Sequence, residues 1–431
     1  MIPSVKADGK AELELLSEIE SRSEKTNKDV TAAVSEILAN VKARGDEAVR
    51  EYTIKFDGKA PEKTEISKEE MQELAKSCDP DFLKAVERAA ENIADFHKRQ
   101  LRQSFFTTKD DNVILGQRVR GLERVGIYVP GGTAAYPSSV LMNAIPARIA
   151  GVKEIIMVTP PTKQGKPNPD IMAAALAAGV DRVLLMGGAQ AVAALAYGTQ
   201  TVPKVDKIVG PGNIFVATAK KLLYGTVDID MIAGPSEILV MADSSANPAF
   251  VAADLMSQAE HDVLASSILL TTSSELAESV KLEIEKQSQT LSRKEIIDKA
   301  LSSYGAIIIC ENNEQMVDFA NKLAPEHLEV CMENPLDYIG VLDNAGSVFL
   351  GHYSPEPLGD YFAGPNHVLP TSGTARFFSP LGVDSFIKRS SFIYYSEKAL
   401  EKDAADIIKF AETEGLTAHA NSIKVRFMGM K

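Results

Sequence analysis

The stretch VGIYVPGG, residues 125–132, decides the fold. A short run of β-branched, aromatic and aliphatic residues stops at Pro-Gly-Gly. EIIMVTPP (154–161), RVLLMGG (182–188) and KIVGPG (207–212) repeat the plan. Between these runs lie Ala-rich stretches of helical length, PSSVLMNAIPARIAGV (137–152), PDIMAAALAAGV (169–180) and AQAVAALAYGT (189–199). Strand-like runs bounded by Gly and Pro, alternating with helices, are the signature of βαβ units and a parallel sheet.

Outward from this core the same alternation recurs. EILVMAD (237–243) is followed by a helix over NPAFVAADLMSQAEHDVLA (247–265), then by SSILLTTS (266–273), a charged helix, GAIIIC (305–310), another helix and EHLEVCM (326–332). The fold class expected is therefore α/β, with two tandem Rossmann-like parallel-sheet domains, a helical N-terminal region and a small C-terminal tail domain. Residues 10–110 are charge-dense and helical in period; in VTAAVSEILANVKARGDEAVREYTIKFD (30–57) apolar residues recur three and four apart until Gly45 interrupts them. The expected boundaries are an N-terminal arm at 1–25, a discontinuous main domain of 26–128 with 237–380, a nucleotide-binding domain at 129–236 and a tail at 381–431. That tail carries one helix, SEKALEKDAADIIKFAETEGL (396–416), and a polar end.

Composition narrows the function classes. The 431 residues exceed one ordinary core. Forty-six basic against 59 acidic residues give a net charge of −13, which argues against nucleic acid or an anionic membrane as partner. It leaves an anionic cofactor open, because backbone N–H groups at a helix end bind phosphate without net positive charge. Cys78, Cys310 and Cys331 are widely spaced and form no CxxC pair, so a reducing compartment is expected. The polar N-terminus and the lack of any apolar run near about 18 residues lead to the expectation of a cytoplasmic protein.

Glycines punctuate three successive strand ends, in VPGGT (129–133), MGGAQA (186–191) and VGPGNIF (209–215). Open α/β sheets bind ligands at the carboxyl ends of strands, where glycine lets backbone amides approach a phosphate. None is a GxGxxG; in the nearest, Phe215 stands where the third glycine would be, and ordinary βα turns remain the alternative. Elsewhere, polar groups stand out against their setting. Gln258 and His261 lie three apart in SQAEHD, and both are metal-ligand types. Glu326 and His327 follow Pro325 at a helix-to-strand junction and can form a proton-transfer pair. EPLGDYFAGPNHVLPTSG (356–373), with little periodicity, reads as a shaped loop carrying Asp360 and His367. The tail holds Glu414 and His419. Each segment alone also fits a solvated face or a loop ion pair. Together they suggest a metal-containing oxidoreductase.

Seven segments carry a resemblance: ERVGIYVPGGTAAYPSSVLMNAIPA, GPGNIFVATAKK, DMIAGPSEILV, SQAEHD, APEHLE, GDYFAGPNHVLPT and EGLTAHANS. With them the chain resembles the histidinol dehydrogenase family over nearly its whole length. The resemblance implies oxidation of L-histidinol to L-histidine by two NAD⁺ in succession, through a bound aldehyde, in a zinc-dependent homodimer with exchanged C-terminal segments. It implies zinc on Gln258, His261 and Asp360 of one subunit and His419 of the other. Glu326 and His327 take the acid–base roles, and Tyr128, Gln190 and Asn213 contact NAD⁺. Ser236, His327, Glu414 and the metal ligands surround the substrate. Three alternatives stay open at this point: a same-fold dehydrogenase of another polar alcohol such as a sulfonated diol, a zinc hydrolase using Glu326 as water base, and a non-catalytic nucleotide-binding scaffold. Glu414 disfavours the first, since it would repel a sulfonate.

Overall fold

A computed structural model describes residues 2–20, 28–131 and 136–428. In chain order the strands are β1 (Ser4–Lys6), β2 (Glu65–Ile66), β3 (Phe105–Lys109), β4 (Val113–Gly121), β5 (Arg124–Tyr128), β6 (Glu154–Thr159), β7 (Arg182–Leu185), β8 (Lys207–Val209), β9 (Asp228–Ile229), β10 (Glu237–Ala242), β11 (Ser266–Thr271), β12 (Gly305–Ile309), β13 (His327–Cys331), β14 (Ser347–Leu350) and β15 (Ile387–Tyr394). The helices are α1 (Ala11–Glu20), α2 (Lys28–Arg44), α3 (Asp46–Asp57), α4 (Lys68–Ala75), α5 (Pro80–Lys98), α6 (Pro137–Ile149), α7 (Pro169–Ala177), α8 (Gly188–Tyr197), α9 (Ile214–Leu223), α10 (Pro248–Ala259), α11 (Ser274–Gln287), α12 (Lys294–Tyr304), α13 (Asn313–Leu323), α14 (Glu356–Tyr361), α15 (Glu397–Thr413) and α16 (Thr417–Lys424). They fall into two units, residues 1–100 with 122–386, and residues 101–121 with 387–431.

The larger unit holds two six-stranded sheets. One has the order β1-β12-β11-β10-β13-β14 and is parallel throughout. The other has the order β2-β7-β6-β5-β8-β9 and is parallel except for the short edge strand β2. Helices cover both faces, which explains why the strands read as unbroken apolar runs. Along β10, Ile238 and Val240 pack with Val251, Leu255 and Leu269 on one side. Leu239 and Met241 pack with Met316, Phe319 and Leu328 on the other. The α/β class with parallel sheets is thus as the sequence indicates.

The opening stretch is β5 and its exit, in the middle of the second sheet. Gly126 interrupts an otherwise bulky strand because α8 lies against it: a Cβ there would sit 2.8 Å from Leu195 Cδ1. Leu195 is fully buried with Ile156, Leu184 and Tyr128, and with Val34, Ile37 and Val49 of α2 and α3. Residues 28–57, grouped by the sequence reading with 237–380, pack as α2 and α3 against the second sheet, of which 124–128 is a strand. Conversely, the expected N-terminal arm begins as β1, an edge strand paired with β12.

The smaller unit is the part least visible in the sequence. β3 and β4 form a hairpin turned at Asp111 and Asn112, both at positive φ, and β15 pairs antiparallel with β4 along its whole length. This corrects the helical reading of 10–110 at its C-terminal end. Every residue of β3 and all but the first of β15 are exposed, so neither strand shows the apolar alternation that betrays a half-buried strand. α15 falls within the expected helix 396–416 and is capped by Ser396, but the end of the tail forms a further helix, α16. Two helices, α11 and α12, stand where one was expected between β11 and β12. No described helix is long and apolar enough to cross a membrane.

Replacing Gly126 with Val forces two methyl groups into the β5–α8 contact. The expected cost is about 1–3 kcal/mol, seen as a lower urea midpoint; an unchanged midpoint would contradict this packing.

Candidate active site

The candidate functional residues gather at opposite ends of the two sheets of the larger unit. In the second sheet these lie at the carboxyl ends, as the general rule anticipates. A cavity of about 690 Å³ opens there, lined by Tyr128, Pro160, Gly188, Gln190, Asn213 and Asp57 among others. Tyr128 follows from β5, is buried, and its hydroxyl accepts a hydrogen bond from Gly188 N–H at 3.1 Å. Burial pushes its phenol up to about 12. Gln190 is 1% exposed, and neither atom of its amide has a hydrogen-bond partner among the described residues. Asn213 caps α9 with its side-chain oxygen, accepting from Phe215 and Val216 N–H, which leaves its amide N–H₂ for a ligand. Gly132 and Thr133 of the first glycine turn lie outside the described residues.

The β8–α9 turn is held from beneath. Gly210 has φ +110, and a Cβ on it would meet the Tyr128 carbonyl oxygen at 2.1 Å. Its N–H donates to Asp230 at 2.7 Å and its carbonyl accepts from Lys220 Nζ at 3.0 Å. Lys220 and Asp230 form an ion pair with both side chains nearly inaccessible to solvent.

In the first sheet the candidate residues gather at the amino ends. Glu326 and His327 open β13, Ser236 directly precedes β10, and Gln258 and His261 close the α10 segment that leads into β11. The register places Ile238 of β10 beside His327, so the backbone of Glu237 orients both acid–base candidates. Its N–H donates to Glu326 Oε2 at 2.9 Å, and its carbonyl lies 3.0 Å from His327 Nδ1. That contact requires the proton on Nδ1 and leaves Nε2 as an acceptor. Nε2 is buried without a hydrogen-bond partner among the described residues, 3.8 Å from Asp360 Oδ1. Burial depresses His327 to about 4, which keeps it neutral at ordinary pH. Burial also drives Glu326 well above the usual carboxylate range, opposed by the hydrogen bond from Glu237.

Two corrections follow for the ligand candidates. α10 ends at Ala259, not at 265, so His261 lies beyond it, its N–H donating to the Gln258 carbonyl at 3.2 Å. The segment 356–373 is not loop throughout: Glu356–Tyr361 forms a six-residue helix. That helix brings Asp360 and Glu356, four apart, to His261, with ligand atoms of the three within 4.8 Å of one another. Glu356 was missed by sequence reading; its only signal is the i, i+4 spacing to Asp360, masked by Pro357 and Gly359. Glu356 also accepts from Ser257 Oγ at 3.2 Å. Gln258, 1% exposed, has a side-chain oxygen with no partner among the described residues. His367 Nδ1 donates to the Asp360 backbone oxygen at 3.0 Å and fixes the end of α14. A buried neutral oxygen, an imidazole and a carboxylate suit a borderline divalent cation such as zinc. A cavity of about 440 Å³ adjoins them, lined by His261, Glu260, Tyr361, Phe362 and Phe82 among others.

Glu414 and His419 belong to the smaller unit. Both are exposed, Glu414 capping the end of α15 and His419 on α16, with Gly415 at φ +75 between the helices.

The family model described as histidinol dehydrogenase matches residues 20–427. The chain belongs to the histidinol dehydrogenase family. It is 59% identical over 409 residues to the histidinol dehydrogenase of Clostridium acetobutylicum, covering 95% of each chain. It is 55% identical to that of Listeria monocytogenes, covering 96% of this chain and 97% of the relative. The crystal structure of histidinol dehydrogenase from Elizabethkingia anophelis superposes with a TM-score of 0.93 at 38% identity, over 100% of this chain and 98% of that one. Membership makes the protein an oxidoreductase, as the resemblance implied.

Burial raises Asp360 to about 6 and, with the nearby Asp360 charge, Glu356 to about 8. Without a cation, folding favours their neutral forms. This source of stability is full below their ordinary values near 4 and is lost as pH rises through 6 to 8. A bound divalent cation inverts the preference. Zinc should therefore raise the Tm of chelator-treated protein more at about pH 8 than at about pH 5.5; equal shifts would contradict a cation among these carboxylates.

Proposed function

We propose that the protein is a zinc-dependent histidinol dehydrogenase that oxidises L-histidinol to L-histidine through bound L-histidinal with two NAD⁺, the closing steps of histidine biosynthesis. The observation that carries the reading is the unpartnered Nε2 of a neutral, buried His327, 3.8 Å from Asp360 and beside the His261–Asp360 group. Family membership supplies the substrate class.

Gln258, His261 and Asp360 would hold the metal, with His419 of a second copy completing the set. Bound there, zinc supplies Lewis acidity and a grip on the imidazole and amine nitrogens of the substrate. One carboxylate ligand with neutral partners keeps the site electropositive, and Glu356 would stand beside Asp360 on the same helix. In the first half-reaction His327 Nε2 takes the hydroxyl proton as hydride passes from the carbinol carbon to NAD⁺. In the second, with that first proton released from His327 to solvent, Glu326 accepts a proton from water as its oxygen adds to the aldehyde; the anionic hydrate then loses a second hydride to a second NAD⁺ and its remaining hydroxyl proton to the regenerated His327, leaving the carboxylate. Burial raises Glu326 above the usual carboxylate range, which makes it a stronger proton acceptor than an exposed carboxylate. Tyr128, Gln190 and Asn213 would contact NAD⁺ in the cavity at the second sheet. Ser236, Glu414 and the metal ligands would surround the substrate, with Glu414 complementing its ammonium group.

A homodimer with exchanged C-terminal segments is supported by the smaller unit taken by itself. Phe105, Phe106, Ile393, Phe410 and Met428 are all exposed there, large apolar side chains in need of cover. Glu414 and His419 are exposed in the same unit.

Purified protein with Zn²⁺, NAD⁺ and L-histidinol should yield two NADH per histidinol; one NADH with accumulating aldehyde would contradict the reading. Glu326→Gln should slow aldehyde oxidation by about 10²–10⁴-fold and alcohol oxidation less; equal losses in both halves would refute the division of labour. Mixing His419→Asn protein with a His261→Asn variant should restore part of the activity through hybrid dimers, and no recovery despite proven subunit exchange would exclude a shared site.

A further inference from the structure

Asp57 is the last residue of α3, followed by Gly58 in the left-handed conformation. Its placement is unfavourable three times over. A carboxylate at a helix C-terminus meets the negative end of the helix dipole. Its Oδ2 is buried with no hydrogen-bond partner among the described residues. Burial raises its pKa, the cost expected of a charge lacking compensation. Sequences break local rules of this kind mainly where function demands it.

The surroundings say what function. Asp57 lines the 690 Å³ cavity together with Tyr128, Pro160, Pro161, Gln190 and Asn213. It is close enough to Tyr128 to help raise that phenol. In dinucleotide-binding sheets of this type, an acidic residue about 20 residues beyond the first glycine turn binds the ribose hydroxyls of NAD and repels the 2′-phosphate of NADP. Here the strand after β5 is β6, and it ends in Thr159-Pro160-Pro161 with no acid. The carboxylate at that rim comes instead from α3, about 70 residues upstream of β5.

We propose that Asp57 is the specificity-determining residue of the coenzyme pocket: its carboxylate accepts the hydroxyls of the adenosine ribose and excludes a 2′-phosphate. This rests on the reading of the second-sheet cavity as the NAD⁺ site. The missing hydrogen bond of Oδ2 is then supplied by the coenzyme, and the unfavourable charge is retained because it rejects NADP⁺.

The test compares Asp57→Asn and Asp57→Ala with the unsubstituted protein in the zinc-loaded enzyme, measuring kcat/KM for NAD⁺ and NADP⁺, KM for histidinol, metal content and Tm. Losing a hydrogen bond to a charged acceptor should raise KM for NAD⁺ about tenfold in Asp57→Ala. The preference for NAD⁺ over NADP⁺ should fall by at least as much in both variants. KM for histidinol and metal content should stay within about twofold, and Tm should hold or rise because an uncompensated charge is gone. Parallel changes with the two coenzymes, an unchanged KM for NAD⁺, or a variant that fails to fold would each overturn the proposal. Gln190→Ala separates the two levels. If it leaves KM for NAD⁺ unchanged, the cavity is not the coenzyme site; if it raises KM while Asp57→Ala does not, only the role of Asp57 falls.

Discussion

An amide oxygen sealed away from water without a hydrogen bond is costly, on the order of 1–3 kcal/mol. Gln258 carries one at the end of α10, and His327 carries an imidazole nitrogen in the same condition at the start of β13. Both are lone pairs held ready inside a protein interior, next to carboxylates that burial has made reluctant to ionise. Such a cluster persists only if something outside the chain completes it. Under the proposed function, a cation would take the Gln258 lone pair and relieve the carboxylates, and a substrate proton would satisfy His327. The remaining architecture reads as the means of holding these groups in place: the Glu237 backbone fixes Glu326 and His327, and His367 secures the end of the helix that delivers Asp360.

The two sheets solve different problems with similar parts. The second follows the usual economy of open α/β sheets, opening its carboxyl ends around Tyr128, Gln190 and Asn213 and stiffening the β8–α9 turn with the Lys220–Asp230 pair. The first presents its amino ends. There a strand begins with its catalytic candidates, and neighbouring helices end at the same edge, so side chains of α10, α14 and β13 converge without a glycine loop. A hydride transfer needs an electrophilic coenzyme and a gripped alcohol in one place, and opposed sheet ends offer one site for each.

Much of this was legible in the sequence, and the losses have physical causes. Runs such as VGIYV and EIIMVT announced buried parallel strands because helices cover both faces. The glycine turns and Pro325 marked boundaries that the structure keeps. The β3–β4–β15 sheet was invisible because its strands are largely exposed. The helix holding Asp360 was hidden by Pro357 and Gly359, and with it the partnership of Glu356. That the first sheet would use its amino ends contradicts the general expectation for such sheets, and only the register of β10 against β13 reveals it. Asp57 carried no motif at all; its meaning comes from being unpartnered at the rim of a cavity.

The central claim is that Gln258, His261 and Asp360 share one divalent cation with a residue from a second copy of the chain. Anomalous diffraction at the zinc absorption edge, from crystals of protein purified without chelator, tests it directly. The account predicts one peak per chain, about 2.0–2.3 Å from ligand atoms of these three residues and of His419 from the neighbouring copy. A fully active preparation with no peak at that place, or with a peak held by other residues, would contradict it.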